Sequence, residues 1–419
     1  MSISETTREC DVLVIGGGPA GSTAATLLAR RGVDVVLLEK EQHPRFHIGE
    51  SLLPCSLPFL RELGVLDEVQ RMGVHKPGAE FVADTGEGAL AFPFRHAIGA
   101  RDDHAYQVRR ADFDALLFRN AAANGAETRE DRRVIEARIV PEGRSILMAR
   151  DSSGTMHHYA ARFVLDASGR DGFLAHRLGR RISDRNNSTA AVYGHFRNVP
   201  RRAGDMGGYI SVHLVEDGWF WMIPLPDDVM SVGFVGNRSA FVERGGSFAD
   251  LFWRKVAGSA SVSERMTRAE PLAPLATTGN YSYRAEKSWG AGYYLIGDAY
   301  AFLDPVFSSG VLLAMKSARR GAVVARAWLR DAEAGARAAR LAERRTRREM
   351  RRISWLIYRI NTPDLRELFM HPRNFLRMRD AIIALLAGDF EAGPRVRVPM
   401  ALFRGVFGLK QWRRRRSAL

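Results

Sequence analysis

Asp11-Val-Leu-Val-Ile-Gly-Gly-Gly-Pro-Ala-Gly21, with the residues that follow it as far as Glu39, decides the fold. Residues 11–15 are a β-branched, aliphatic run of the kind that forms a buried strand. Three glycines and a proline follow without a gap. Over 22–31 small and apolar residues recur at helical spacing, and Gly32 stands where a helix ends. Asp34-Val-Val-Leu-Leu38 reads as a second strand, closed by Glu39. Gly16, Gly18 and Gly21 thus form G-x-G-x-x-G between strand and helix, with an acid 18 positions after Gly21. Glycines there let the backbone approach a pyrophosphate, whose charge the helix N-terminus favours. Glu39 is placed to accept hydrogen bonds from ribose hydroxyls. A glycine-rich turn with no ligand would not need strand, helix and acid in this register. The expectation is an α/β, dinucleotide-binding unit.

The rest of the chain gives that unit its setting. With 419 residues, 46% of them apolar and 26% charged, the composition is globular and long enough for more than one core. A disordered or collagen-like chain is excluded. Two cysteines, Cys10 and Cys55, exclude a disulfide framework and fit a reducing compartment. The first ten residues lack a signal-peptide core, and apolar stretches such as 381–388 are too short to span a bilayer. These readings predict a soluble, cytoplasmic protein. His43, His47, His157 and His158 show no metal spacing, so no metal site is expected. Charge is uneven: 62 basic against 47 acidic residues overall, but 26 against 9 over residues 311–419. The last quarter therefore carries all of the excess.

Dinucleotide binding alone leaves NAD and FAD open. Tyr293-Tyr-Leu-Ile296 is a strand, followed by Gly297-Asp298-Ala299 and then by a helix from about Gly310. The pairing of G-x-G-x-x-G with this late G-D-A resembles the FAD-dependent aromatic hydroxylase superfamily, over roughly 11–310. The resemblance implies that Asp298 meets the flavin ribityl chain. It also implies that Arg110, in Val108-Arg-Arg-Ala-Asp-Phe-Asp114, stands beside the flavin, and that Asp166-Ala-Ser-Gly-Arg170 is a second fingerprint returning to it. The expected fold is a Rossmann-like FAD-binding fold with a second, mixed β-sheet region on the substrate side and a helical, basic C-terminal segment. The expected division is 1–80, 100–180 and 280–330 for FAD, 81–99 and 181–279 for substrate, and 331–419 for the basic helices.

Three further stretches narrow the branch: His47-Ile-Gly-Glu-Ser51 with the leucine-rich run after it, Gly218-Trp-Phe-Trp-Met-Ile-Pro224, and Asp304-Pro-Val-Phe-Ser-Ser-Gly310. Together they resemble the flavin-dependent halogenases, the last in the form found among enzymes acting on phenols, pyrroles and carrier-tethered aryl groups. The resemblance implies FAD, used as FADH2, with O2 and a halide, chloride or bromide, as co-substrates. Halide attacks a flavin C4a-hydroperoxide, and the hypohalous acid released halogenates an activated ring. Implied contacts to FAD are Gly16, Gly18, Ala20, Gly21, Glu39, Arg45, Ser51, Arg110, Asp298 and Gly310, and to halide Ser309 and Gly310. Lys76, 26 residues beyond Glu50, occupies the place of the family's active-site lysine. Its role there is either to donate a hydrogen bond to hypohalous acid as an ammonium or to carry the halogen as a neutral amine. Trp219 and Trp221 share one face of a strand, as either cavity wall or core. Tryptophan halogenases carry a glutamate where this chain has Phe307, which argues for a phenol or pyrrole over tryptophan.

No second dinucleotide fingerprint is present for NAD(P)H, and the resemblance implies a separate flavin reductase as partner. An FAD-dependent aromatic monooxygenase using NAD(P)H stays open beside the halogenase reading, as does a non-catalytic flavin-binding relative. For the basic C-terminal segment two partners fit: an acidic acyl or peptidyl carrier protein, or an anionic membrane touched by 402–416, where apolar residues precede four arginines. No nucleic-acid recognition module is present.

Overall fold

Val12, Val14, Val35 and Leu37 face one side of a sheet, Leu13, Ile15, Val36 and Leu38 the other, and both sides are buried. A strand covered on both faces shows no polar alternation, which is why its sequence is an unbroken apolar run. The computed structural model describes residues 7–84, 88–99, 101–179, 181–183, 189–279, 282–360, 362–370 and 374–417. Strands Tyr293–Leu295, Met156–Asp166, Arg8–Ile15, Val35–Leu38 and Glu127–Arg129 lie side by side in that order, all parallel. Helices Pro19–Ala29, Arg110–Ala123 and Gly310–Arg330 pack on one face of this sheet.

A second sheet runs in the order Glu270–Pro271, Thr189–Arg197, Met230–Asn237, Gly218–Pro224, Ile210–Val215, Gly78–Ala83, Ala89–Pro93. One pair, Ile210–Val215 with Gly78–Ala83, is parallel and the others antiparallel, so the sheet is mixed as expected. Period-2 alternation divides its residues. Phe196, Phe220, Met222 and Phe234 pack under helices Phe248–Ala257 and Ala260–Met266. Tyr193, Trp219, Trp221 and Ile223 face the interior between the sheets.

Helices Ala332–Ile357, Pro363–Met370, Met378–Leu386 and Pro394–Ser417 make up the C-terminal segment. Its apolar residues, among them Ile353, Leu365, Phe369, Ile382 and Phe403, enter the same core as Phe81, Trp219 and Phe307. The segment therefore helps to close the interior. One ionic cluster joins it to the Gly310–Arg330 helix: Arg320 pairs with buried Glu349 and, at 2.7 Å, with Glu391, and Lys316 lies 3.8 Å from both carboxylates. Among the described residues no helix is long and apolar enough to cross a membrane. Removing Arg320, the nearer of the two cations, leaves buried Glu349 and its neighbour Glu391 with Lys316 alone at 3.8 Å. Arg320→Met is expected to lose about 3–5 kcal/mol of stability in denaturant-induced unfolding.

Candidate active site

The first fingerprint turns so tightly that a Cβ on Gly21 would lie 1.8 Å from the Gly16 carbonyl oxygen. Gly16 has φ of 101°, and a Cβ there would lie 2.4 Å from the carbonyl oxygen of Ala167. The second fingerprint thus rests on the first. Its Asp166 is buried and accepts hydrogen bonds from the Ser168 and Leu174 N–H groups, at 2.9 and 2.7 Å, which fixes the loop. The late motif closes on the same helix, since a Cβ on Gly297 would stand 2.9 Å from Ala20 Cβ.

A cavity of about 1010 Å³ opens before these turns, lined by Gly16, Gly18, Ala20, Glu39, Arg45, Ser51, Arg110, Asp298 and Gly310. Nine of the ten expected FAD contacts are thereby brought together; Gly21 stands behind the wall against Gly16. Glu39 accepts the Gly17 N–H at 2.7 Å and the Glu41 N–H at 3.1 Å. Arg45 reaches Glu39 and Asp114, each at 3.4 Å. Arg110, at the start of its helix, forks onto Asp114 at 2.8 and 2.9 Å and donates to the Ile48 carbonyl at 2.6 Å. Burial pushes the Asp298 carboxyl up to about 6, against the pull of Arg110, Arg170 and Arg181. A flavin dinucleotide fits: the cavity is at the upper end of the usual range for ligand sites, and the buried Ser51 hydroxyl on its wall has no hydrogen-bond partner among the described residues.

The Asp304-Pro-Val-Phe-Ser-Ser-Gly310 turn is fixed by its own aspartate. Asp304 accepts the Thr189 hydroxyl at 2.7 Å and the Val306 N–H at 3.2 Å, and burial pushes its carboxyl up to about 6. Ser308 is left-handed, with φ of 54°, so that Ser308 and Gly310 line the cavity while Ser309 is buried behind them as the helix N-cap. Of the two expected halide residues, Gly310 lies on the cavity wall and Ser309 does not; the left-handed residue sets this.

Trp219 and Trp221 are both cavity wall and core. Their rings lie 5.9 Å apart, and the Trp221 indole N–H donates to Ser231 Oγ at 3.1 Å. A Cβ on the opposite Gly233 would stand 2.3 Å from the Trp221 ring, so the strand leaves room for the indole.

Lys76 is on the short strand Val74–Lys76, fully buried, and does not line the main cavity. Its Nζ donates to the Leu52 carbonyl at 2.8 Å and lies 5.2 Å from the centre of the Phe94 ring. Burial alone pushes the ammonium down to about 7. Phe94 shares its core with a phenylalanine cluster: Phe369, from the C-terminal segment, lies 4.7 Å from Phe81, 4.9 Å from Phe92 and 6.4 Å from Phe307. Phe307 thus packs among apolar side chains, where a carboxylate would be desolvated.

Glu50, on the cavity wall, and its partner His195 carried no role in the sequence reading. Glu50, buried, pairs with His195 Nε2 at 2.5 Å, and Phe46 packs edge-on against His195 and stacks on Tyr193. Glu50 lies within His47-Ile-Gly-Glu-Ser51 and was within reach of motif reading; His195 has no local signal.

The FAD binding domain family matches residues 9–324. The chain is 32% identical over 335 residues, 74% of each chain, to the 1H-pyrrole-2-carbonyl-(peptidyl-carrier protein) chlorinase of Pseudomonas fluorescens. The chain belongs to the flavin-dependent halogenases. It is thus an FAD-using enzyme, and halide is a substrate of its chemistry. It is also 36% identical over 314 residues to the tryptophan 2-halogenase of Chondromyces crocatus, covering 73% of this chain and 59% of that one. The myxobacterial chondrochloren halogenase CndH superposes with a TM-score of 0.79 at 34% identity, covering 86% of this chain and 89% of that one.

Gly21→Ala places a methyl group against the Gly16 carbonyl, and FAD affinity measured by flavin fluorescence is expected to fall about tenfold or more, with circular dichroism unchanged. An amine whose pKa falls on folding costs stability wherever the unfolded chain would be protonated. For Lys76 the cost is absent above about pH 10.5, grows as pH falls, and is complete below about pH 7. Lys76→Met is expected to unfold at higher denaturant than the parent at neutral pH, with the gap shrinking as pH is raised towards 10.

Proposed function

We propose that this halogenase chlorinates or brominates an electron-rich aryl ring, a phenol or pyrrole, carried as a thioester on an acidic carrier protein, with Lys76 delivering the halogen. The observation that carries the assignment is the amine itself: fully buried beside the Phe94 ring, held by one carbonyl, and lowered by burial to about 7. Reduced FAD bound in the cavity supplies, with dioxygen and halide, hypohalous acid. Arg45, Arg110 and Glu39 hold the dinucleotide, and Asp298 takes the polyol. The Ser308 N–H is already given to the Pro305 carbonyl at 2.8 Å, and the backbone N–H groups of Ser309 and Gly310, at the start of the helix, hold the halide. The tryptophan pair walls off the cavity.

At neutral pH a large fraction of Lys76 is uncharged. The neutral amine takes halogen from hypohalous acid, forming N–X and water. Attack by the ring carbon breaks N–X, forms C–X, and returns the ring proton to the amine. Phe307 leaves no base beside the ring, so electron density must come from the substrate's own oxygen or nitrogen. The pyrrolyl-carrier chlorinase relative supports a tethered ring of this class, and the basic C-terminal segment supports an acidic carrier. A separate flavin reductase delivers FADH2, as membership of the halogenase family implies. Residues 1–77, 100–180 and 280–330 serve the FAD and 81–99 and 181–279 the substrate, with Gly78–Glu80 taken to the substrate side by their place in the second sheet, and 331–419 are the basic C-terminal segment.

The test supplies enzymatically reduced FAD, bromide, and either a pyrrolyl or phenolic carrier thioester or free tryptophan, and reads products by mass. Bromination of the thioester above tryptophan is expected. Reversed preference, or oxygen in place of bromine with NAD(P)H consumed without a reductase, would overturn the assignment. Lys76→Ala and Lys76→Arg are expected to bind FAD normally and lose at least about a hundredfold in product. The parent's rate is expected to rise as pH passes upward through about 7; a falling rate with a partly active arginine variant would mean that an ammonium is required.

A further inference from the structure

The helix Pro394–Ser417 has two apolar faces. Val396, Met400, Phe403 and Phe407 are buried and belong to the main core. At 3.6 residues per turn, Val398, Leu402, Val406, Leu409 and Trp412 fall on the opposite side, within a sector of about 120° and over about 21 Å of helix. These five are 41–58% exposed. Gly405 lies within the same sector, and a Cβ on it would meet nothing within 4 Å. The stripe is therefore open along its length.

The inner contacts fix which way the helix faces. Arg404 lies 4.7 Å over the Trp355 ring, Arg414 pairs with Asp364 at 3.3 Å, and Lys410 pairs with Glu367. Trp355 packs edge-on against Phe403 and Phe407. The helix is thus clamped to the protein through its buried side, with its long axis along the surface. Its 24 residues include eight basic and no acidic ones. Exposed arginines bracket the stripe: Arg395 and Arg397 at one end, Arg415 and Arg416 at the other, with Arg416 4.3 Å over the Trp412 ring.

We infer that this outward face docks the enzyme on an anionic phospholipid surface. An amphipathic helix lying in a membrane interface buries a continuous apolar face at the headgroup boundary, with arginines at its margins reaching the phosphates. Tryptophan suits the same depth, apolar at one edge and polar at the other. Apolar contact and positive charge occur together here, on a helix whose far side is already anchored, and one flat anionic layer meets both along the full length. A carrier protein would answer the charge but has no need of an unbroken stripe of this length. The inference is independent of the substrate, and its readout is binding.

The experiment uses the full-length, FAD-loaded protein and co-sedimentation with vesicles of phosphatidylcholine alone or mixed with phosphatidylglycerol. Binding to the anionic vesicles is expected to be at least about tenfold tighter than to the neutral ones, and weakened by salt. Leu402→Gln/Leu409→Gln/Trp412→Gln is expected to lose at least about tenfold of it, with the flavin spectrum and thermal midpoint unchanged. Failure of the parent to sediment with anionic vesicles at low salt would overturn the inference. Equal binding by the triple variant would also overturn it, since charge alone would then suffice. Stripe-dependent binding of a purified acidic acyl carrier protein, without vesicle binding, would overturn it too and give the face to a protein partner.

Discussion

A side chain at position 21 would begin 1.8 Å from the carbonyl oxygen of Gly16, and the active site depends on there being none. Without a Cβ there, the helix Pro19–Ala29 starts directly at the end of its strand and brings its N-terminal N–H groups to the cavity edge. Two other loops use the same economy of space: Gly16 touches Ala167, and Gly297 leaves clearance for Ala20. Segments near positions 16, 167 and 297 can therefore surround one ligand closely enough for backbone as well as side chains to hold it. The adjacent charges are also fixed before any ligand arrives, because Asp114 orients Arg110 and the Gly17 N–H orients Glu39.

What was legible in the sequence was what is local. The strand–turn–helix–strand unit has its own periodicity and glycine spacing, and the Gly297-Asp298-Ala299 turn sits at the end of a short apolar strand. Contacts between distant segments left no such mark. Phe369 reaches Phe81 and Phe92 across more than half the chain, and ring packing of this kind has no period. The C-terminal segment read as basic and helical, which it is, but its apolar residues complete the interior beside Lys76. His195 meets Glu50 only because Thr189–Arg197 lies in the second sheet facing the 47–51 stretch. Motif spacing found the Ser-Ser-Gly turn without telling which serine faces inward; the left-handed conformation of Ser308 decides that.

The excess positive charge divides into inward and outward portions with different physical consequences. Lys316 and Arg320 are turned inward and neutralised by Glu349 and Glu391, so they hold the C-terminal segment in place and add little to the external field. Arg404, Lys410 and Arg414 clamp the last helix. The arginines at its two ends remain on the surface. A formal count of charge along the chain cannot make this separation, because it depends on which helix face each residue occupies.

Phe307 and Lys76 belong to one argument about where charge is tolerated. Phe81 and Phe369 pack against Phe307 in the apolar core, so a glutamate at 307 would be desolvated, and either neutral or costly. The same dryness lowers the lysine towards neutrality, because nothing charged stands near enough to hold its proton. A compartment that excludes the base also produces the neutral amine, and an amine that is nucleophilic at neutral pH suits a ring that brings its own activating heteroatom. The choice of an electron-rich substrate is thus tied to the burial that activates the lysine: a polar group added to help a poorer ring would raise the lysine's pKa and return it to the charged form.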